Sequence, residues 1–282
     1  MHSLFYRFII IACFFIAQAS SLYLSDEHFF QIASSEEFNN LVYKKPKAFF
    51  IQFYSSKDAN SVPFAGVWKK LAGKTDAWKE VVQIVAVDCE SSSNADLCKE
   101  HNIKTYPTFK YFKYQSSSAN DGQVYGGNKN TVEDLEAAVA RFVLADSKKQ
   151  TPADWPHFAL AHDNKTSENL WNQEAQYMAL IFEEYPSEDA AWDKVPVVGV
   201  QIIMDFLNNE NIMVRRGTSR HQLGRANDIG DFPGLLMFGR SQERSPVYKS
   251  RAGLTREEIF TKIMDVTSKE HGHDQAQSRD DE

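Results

Sequence analysis

Ala48-Phe49-Phe50-Ile51-Gln52-Phe53-Tyr54, followed by the polar stretch Ser55-Ser56-Lys57-Asp58-Ala59-Asn60-Ser61 and then Val62 to Leu71, decides the fold. The first seven residues form an apolar, aromatic run behind Pro46, as a buried strand does. From Val62 onward, Phe64, Val67, Trp68 and Leu71 share one helical face. Val81 to Val87 is a continuous β-branched strand suited to a central, doubly covered position. Asn94 to His101 reads as a short helix, and Thr108 to Tyr114 alternates aromatic and basic residues as a strand with one covered face would. Gly122 and Gly126-Gly127 punctuate a hairpin. Thr131 with Asp134 opens a last helix, whose stripe is Leu135, Val139, Phe142 and Val143. Upstream, Phe29 to Leu41 reads as a short helical segment. From Ala48 the order is β-α-β-α-β-β-α, an α/β arrangement with a central mixed sheet flanked by helices.

A second unit repeats this pattern. Tyr177 to Glu184 reads as a strand, followed by a helix disturbed around Pro196 and ending near Asn208. Ile212 to Arg216 is a strand, Arg220 to Asn227 a short helix and Leu235 to Phe238 a strand entered through Asp231-Phe232-Pro233-Gly234. Pro246 to Lys249 continues the hairpin and Thr255 to Val266 is the closing helix. The expected division is residues 1–19 as a signal peptide and 21–148 as the first domain. Residues 149–165 follow as a linker, 166–267 as the second domain and 268–282 as a disordered polar tail.

The signal peptide reading rests on Arg7, the apolar run Phe8 to Ile16 and the small-x-small end Ala17-Gln18-Ala19. An uncleaved anchor is the alternative, but nine apolar residues span only about 14 Å against a hydrocarbon core of about 30 Å. No membrane span is expected after cleavage. The terminal Arg279-Asp280-Asp281-Glu282 lacks a Lys-Asp-Glu-Leu type signal, so secretion or Golgi passage is expected. Asn164-Lys165-Thr166 is a glycosylation sequon. Lys and Arg number 31 against 38 Asp and Glu, a formal charge of −7, which offers no general attraction for nucleic acid or anionic lipid. Hydrophobic residues at 43% and charged residues at 24% are globular values. Of three cysteines, Cys13 leaves with the signal. Cys89 and Cys98 then form a disulfide or stay as two buried thiols; a bridge closing a loop of about 10 residues contributes roughly 2.7 kcal/mol.

The element order with Tyr106-Pro107-Thr108 before the third strand resembles the thioredoxin fold. Phe53-Tyr54-Ser55-Ser56, Phe64-Ala65 with Trp68-Lys69 and Leu71-Ala72, Asp88-Cys89, Cys98 and Asn102-Ile103 resemble the first thioredoxin domain of the quiescin sulfhydryl oxidase (QSOX) family. Tyr177 to Glu183, Val214-Arg215-Arg216, Asp231-Phe232-Pro233 and Gly253-Leu254-Thr255-Arg256 are similar to that family's second, non-catalytic thioredoxin domain. The resemblance implies two tandem thioredoxin-like domains, cis peptide bonds before Pro107 and Pro233, a structural Cys89–Cys98 bridge, and thiol-containing or unfolded polypeptides as partners.

The departures from that pattern are chemical. Where the family carries Trp-Cys-Gly-His-Cys, this chain has Lys57-Asp58-Ala59-Asn60-Ser61. Asp58 cannot attack sulfur and Ser61 cannot resolve a mixed disulfide. No catalytic residue is therefore assigned. The family's flavin-binding oxidase domain has no counterpart in this sequence, so no cofactor is expected; FAD would come only with such a domain. Asp58 with Ser61 as a hydrolytic pair competes with Asp58 as a helix cap. Lys57, Phe64, Tyr106 and Pro107 are candidates for a polypeptide-holding surface, against a turn kept only for folding. Arg215, Arg216, Arg220 and Arg225 form either a polyanion site or a solvated face. His271 and His273 form either a weak metal pair or part of a polar tail, and no metal site is assigned. Three functions stay open. One is a redox-silent binding module of oxidative folding, one an oxidoreductase working through Cys89 and Cys98, and one an extracellular interaction protein.

Overall fold

A computed structural model describes residues 22–23, 30–149, 155–161, 174–184, 187, 190–240 and 245–280, with side chains up to Ser268. The signal segment with Cys13, and Asn164 of the sequon, lie outside the described residues, as do the side chains of His271 and His273.

The first domain runs β1 (Phe30–Ile32), α1 (Ser35–Val42), β2 (Ala48–Tyr54), α2 (Val62–Lys74), β3 (Val82–Asp88), α3 (Ala95–Glu100), β4 (Thr108–Phe112), β5 (Gln123–Val124) and α4 (Val132–Ser147). Its five strands lie in the order β1-β3-β2-β4-β5. β1 and β2 run parallel to β3, whereas β4 is antiparallel to β2 and β5 to β4. All seven residues of β2 are buried, because both faces of the sheet are covered. Phe49, Ile51 and Phe53 meet Phe38, Val42 and Leu97 from α1 and α3. Ala48, Phe50 and Tyr54 meet Trp68, Leu71, Leu135 and Val139 from α2 and α4. The two-residue period of a strand produces this division.

The second domain has the same plan: β6 (Leu160–Ala161), β7 (Tyr177–Glu183), α5 (Val198–Asp205), β8 (Ile212–Thr218), α6 (Gln222–Ala226), β9 (Gly234–Gly239), β10 (Tyr248–Lys249) and α7 (Arg256–Asp280). Its sheet order is β10-β9-β7-β8-β6, so β7 occupies the central position that β2 holds in the first. The fold is thus two tandem thioredoxin-like units. No helix among the described residues is long and apolar enough to cross a membrane.

Four sequence expectations change. Phe29 to Leu41 is not one helical segment: Phe30 to Ile32 pair with Val85 to Val87, and the helix starts only after Ser34, whose hydroxyl accepts the Glu37 N–H at 3.1 Å. Part of the supposed linker belongs to the second sheet, with Leu160 opposite Arg216; Trp155 and Phe158 are buried, and the Trp155 Nε1–H donates to the Pro46 carbonyl at 3.1 Å. The helix foreseen from Glu184 towards Asn208 is confined to Val198–Asp205, with a single 3-10 turn at Trp192–Lys194 before it. The polar tail continues α7 to Asp280 instead of being disordered.

One apolar cluster runs through both domains. A polar lock closes it. Arg256 at the start of α7 forks onto Asp205, with NH2 to Oδ1 at 2.6 Å and Nε to Oδ2 at 3.0 Å. Its NH1 reaches Glu136 of α4 at 2.8 Å. The guanidinium lies 4.9 Å from the Trp78 ring centroid, and the Trp78 Nε1–H donates to Asp205 at 2.7 Å. The second domain's arginine and aspartate thereby hold the first domain's glutamate and tryptophan.

His101, just after α3, is buried between Phe38, Phe53 and Phe112. Burial, with the nearby Lys110 charge, pushes its pKa from 6.5 down to about 4. The folded protein therefore keeps this imidazole neutral where the unfolded chain would protonate it. Its contribution is complete above pH 6.5 and is lost as pH falls towards 4, by about 3 kcal/mol in all. Urea titrations across that window should show this slope, and a His101→Gln variant should be flatter there.

Candidate functional site

The candidate surface lies where β2 and β3 end, α2 begins and the chain turns into β4. The loop leaving β2 is tied down by its own polar groups. Ser55 N–H donates to Ser61 Oγ at 3.3 Å, and Lys57 N–H donates to Ser55 Oγ at 3.3 Å. The buried Asp88 carboxylate accepts the Ser56 N–H at 3.2 Å and the Glu90 N–H at 3.0 Å. Ser55 Oγ donates to Glu90 at 2.9 Å, and Lys57 Nζ lies 3.1 Å from the other Glu90 oxygen. The Lys57 contact, then the Ser55 hydroxyl, hold the Glu90 carboxyl below its usual range. The lysine remains exposed, so this pair adds little stability.

Asp58 does not cap α2. Its Oδ1 accepts the Asn60 N–H at 2.8 Å, closing a turn ahead of the helix. The first residues of α2 are Val62 and Pro63, and Ser61 at the cap position makes no side-chain capping bond. Pro63 lacks an N–H, which removes one of the donors a cap would serve. A hydrolytic pair is not formed either. Ser61 Oγ is buried and accepts from backbone, and His101 is enclosed by the aromatic residues named above.

Tyr106 and Pro107 are joined by a cis peptide bond, as the resemblance implies, and so are Phe232 and Pro233. Pro107 is buried and Tyr106 half-buried. Burial raises the Tyr106 pKa, with the charges of Glu90, Asp88 and Asp58 adding to it. Tyr106 thus faces the acidic side of the loop, and Lys57 reaches the same place through Glu90. Phe64 packs edge-on against Phe109 at 6.1 Å on the neighbouring flank. Among the described residues, nothing hydrogen-bonds the Tyr106 backbone, and strand pairing begins only at Thr108. Cys89 and Cys98 are bridged, with Cα atoms 5.8 Å apart. The bridge joins the end of β3 to α3, and Asn94 Nδ2 donates to the Ile32 and Asp88 carbonyls at 3.1 Å beneath it. Sequence reading missed Glu90, Ser55 and Asp88; the acidic residues flanking Cys89 were the available signal.

The corresponding end of the second domain is filled. Glu183 ends β7, and its carboxylate takes Arg216 Nε at 2.8 Å, Arg216 NH2 at 2.7 Å and the Gly199 N–H of α5 at 3.1 Å. Arg216 also donates to the Phe158 carbonyl at 2.9 Å and the Pro196 carbonyl at 3.2 Å. A Cβ at Gly199 would stand 2.6 Å from Arg216 Cγ, so glycine is needed there. The Pro233 turn is covered: Leu254 N–H donates to the Pro233 carbonyl at 2.8 Å, and a Cβ at Gly253 would lie 3.0 Å from the Phe232 oxygen. The arginine cluster is therefore neither a polyanion site nor a solvated face as a whole. Arg216 is buried in an ion pair, Arg215 is half-buried with its pKa lowered by burial, and Arg220 and Arg225 are exposed.

Two thioredoxin-like domains, one open at its loop and turn and one filled, define the class of protein. The thioredoxin family model matches residues 29–141. Most of the chain is similar to sulfhydryl oxidases. It is 30% identical over 206 residues to sulfhydryl oxidase 1 of Gallus gallus, covering 72% of this chain and 26% of that protein. It is 25% identical over 198 residues to sulfhydryl oxidase 2 of Homo sapiens, covering 70% and 27%. The chain thus spans about a quarter of the length of these relatives. Among solved structures, full-length ERdj5 superposes with a TM-score of 0.57 at 16% identity, over 87% of this chain and 33% of that one, which reflects the shared fold.

Proposed function

We propose that this protein is a redox-silent relative of the sulfhydryl oxidases that holds unfolded or thiol-containing polypeptides, or a partner in oxidative folding, within the secretory pathway. The observation that carries the reading is the first domain's turn at Tyr106-Pro107. Among the described residues its Tyr106 backbone has no hydrogen-bond partner, with the Asp58 charge nearby, whereas in the second domain's turn the Pro233 carbonyl is taken by the Leu254 N–H. An extended segment can pair with such a backbone, while Tyr106 and Lys57 offer aromatic and charged contacts. Asp58 and Ser61 leave no thiol to exchange, so binding is not followed by transfer of a disulfide. The signal-peptide reading supports a secretory location.

An Asp58→Cys variant tests the reading. With an unfolded client that carries a disulfide, the new thiolate attacks one of its sulfurs, forming one mixed disulfide and releasing one client thiolate. Ser61 cannot resolve it. Non-reducing mass analysis should find the trapped complex at least tenfold above the wild-type background. An alkylatable thiol at position 58 with no trapped client would contradict the proposal.

A further inference from the structure

Val124 stands on an open edge of the first sheet. β5 ends the strand order, and among the described residues no further strand pairs with it. The Tyr125 N–H donates inward to the Phe109 carbonyl at 2.9 Å, and Val124 lies opposite Lys110. Backbone groups alternate along an antiparallel ladder, so the N–H and C=O of Val124 point away from β4. The residue is 64% exposed. Unpaired groups on such an edge are a template for another extended chain. A Cβ on Gly126 would meet nothing within 4 Å, so the approach past the end of β5 is clear.

A cavity of about 600 Å³ opens beside this edge, with Val124, Tyr125 and Gly126 on one side and α4 and the 3-10 turn at Trp192–Lys194 on the other. Phe142 and Tyr125 lie 5.0 and 6.1 Å from the Trp192 ring, which remains 40% exposed. Arg141 adds an independent observation. Its Nε donates to the Val195 carbonyl at 3.1 Å, and its guanidinium lies 5.6 Å from the Trp192 centroid. The two terminal nitrogens have no hydrogen bond or ion pair among the described residues, and unlike the enclosed Trp68 Nε1 they are open to solvent. Burial lowers the Arg141 pKa despite the Asp193 charge nearby, so its own charge is under-compensated. The other ionised groups of the lining are engaged. Asp193 has Lys194 at 3.8 Å, and Asp134 accepts from Asn128 Nδ2 at 2.7 Å and the Thr131 hydroxyl at 2.6 Å.

We propose that an extended polypeptide adds to the β5 edge as a further strand and places a glutamate carboxylate on Arg141. Its backbone pairs with the outward N–H and C=O of Val124. Residues directly opposite each other in a sheet share a face, so a glutamate opposite Tyr125 stands on the α4 side, where Arg141 lies. Its carboxylate takes the two terminal nitrogens as a fork, and its stem lies against the exposed part of Trp192. A phosphate dianion fits less well, because Asp134 and Asp193 share the lining. The site uses none of Lys57, Tyr106 and Pro107, so it goes beyond the client surface proposed above and stands without it.

The test titrates isotopically labelled full-length protein with the peptide acetyl-Thr-Val-Glu-Val-Thr-amide, following amide shifts. Saturable shifts at Val124 and Gly126 are expected, with a Kd of about 100 μM. The peptide with glutamine in place of glutamate should bind at least tenfold more weakly. Arg141→Lys keeps the charge but loses the fork, and should weaken binding severalfold. Val124→Pro removes the outward N–H and leaves the bonds to β4 in place, and should weaken binding at least tenfold. The pair of peptides probes the carboxylate on the unaltered protein, so that comparison holds even where a variant unfolds. Equal binding of the glutamine peptide, no shift at Val124 and Gly126, or undiminished binding by folded Val124→Pro overturns the inference. Equally tight binding of N-acetylglutamate amide assigns the cavity to free carboxylates and overturns the polypeptide occupant. Shifts confined to Tyr106 overturn the β5 site while leaving the client reading standing. Glutamate-dependent shifts at Val124 with no client capture at Tyr106 do the reverse.

Discussion

Replacing Arg256 by alanine should destabilise the protein by about 3–5 kcal/mol, the cost of removing one partner from a buried ion pair. Asp205 and Glu136 both lose their counter-charge, and they are 6% and 4% exposed. Asp205 keeps the Trp78 N–H, but Glu136 then has no partner for either oxygen. The guanidinium contact with the Trp78 ring is lost as well. For a chain of this size the melting temperature should fall by on the order of 10 °C. Arg256→Lys should recover less than half, because an ammonium cannot fork across Asp205 while reaching Glu136. Calorimetry should also show the two domains melting less cooperatively, since Arg256 joins α7 to both α4 and Trp78. A loss below about 1 kcal/mol would mean that the shared apolar cluster alone holds the domains together.

Glu183→Ala should cost a similar amount, about 3–5 kcal/mol, for a different reason. Arg216 would remain charged, 4% exposed, with only two backbone carbonyls as acceptors. The Gly199 N–H at the start of α5 would lose its acceptor too. Replacing both Glu183 and Arg216 with methionine should be far milder than Glu183→Ala, because no charge is stranded. Chemical denaturation of the single and double variants measures this directly. Neither change touches the Tyr106 turn, so client binding by folded protein should be unaltered.

What was legible in the sequence follows the range of the signals. β2 and β3 were readable because both faces are buried, which gives unbroken apolar runs. β1 was missed because three residues hold no measurable period, and its hydrogen bonds come from β3, more than 50 residues away. A usable cue was present in Ser34 with Glu37, the capping-box spacing that places the helix start after Ser34 and frees Phe30 to Ile32 for a strand. The resemblance placed Asp58 and Ser61 at the family's cysteine positions, and it also located Pro107. The role of Asp58 was not legible, because the helix begins at Val62 with a proline in its first turn. Arg216 looked like one of a surface cluster because its partner, Glu183, lies 33 residues earlier on an adjacent strand. Arg256, Asp205, Glu136 and Trp78 are likewise scattered along the chain, and only the packing of two domains brings them together.

The central claim is that the first domain holds polypeptide at Tyr106-Pro107 without sulfur exchange. Fluorescence anisotropy with one unfolded client, prepared once with free thiols and once with every cysteine alkylated, tests both parts together. A Kd of about 10 μM is expected for each form, equal within twofold, with a client that leaves with its thiols unchanged. Binding that requires free thiols, or client thiols oxidised to disulfides by this protein, would contradict it.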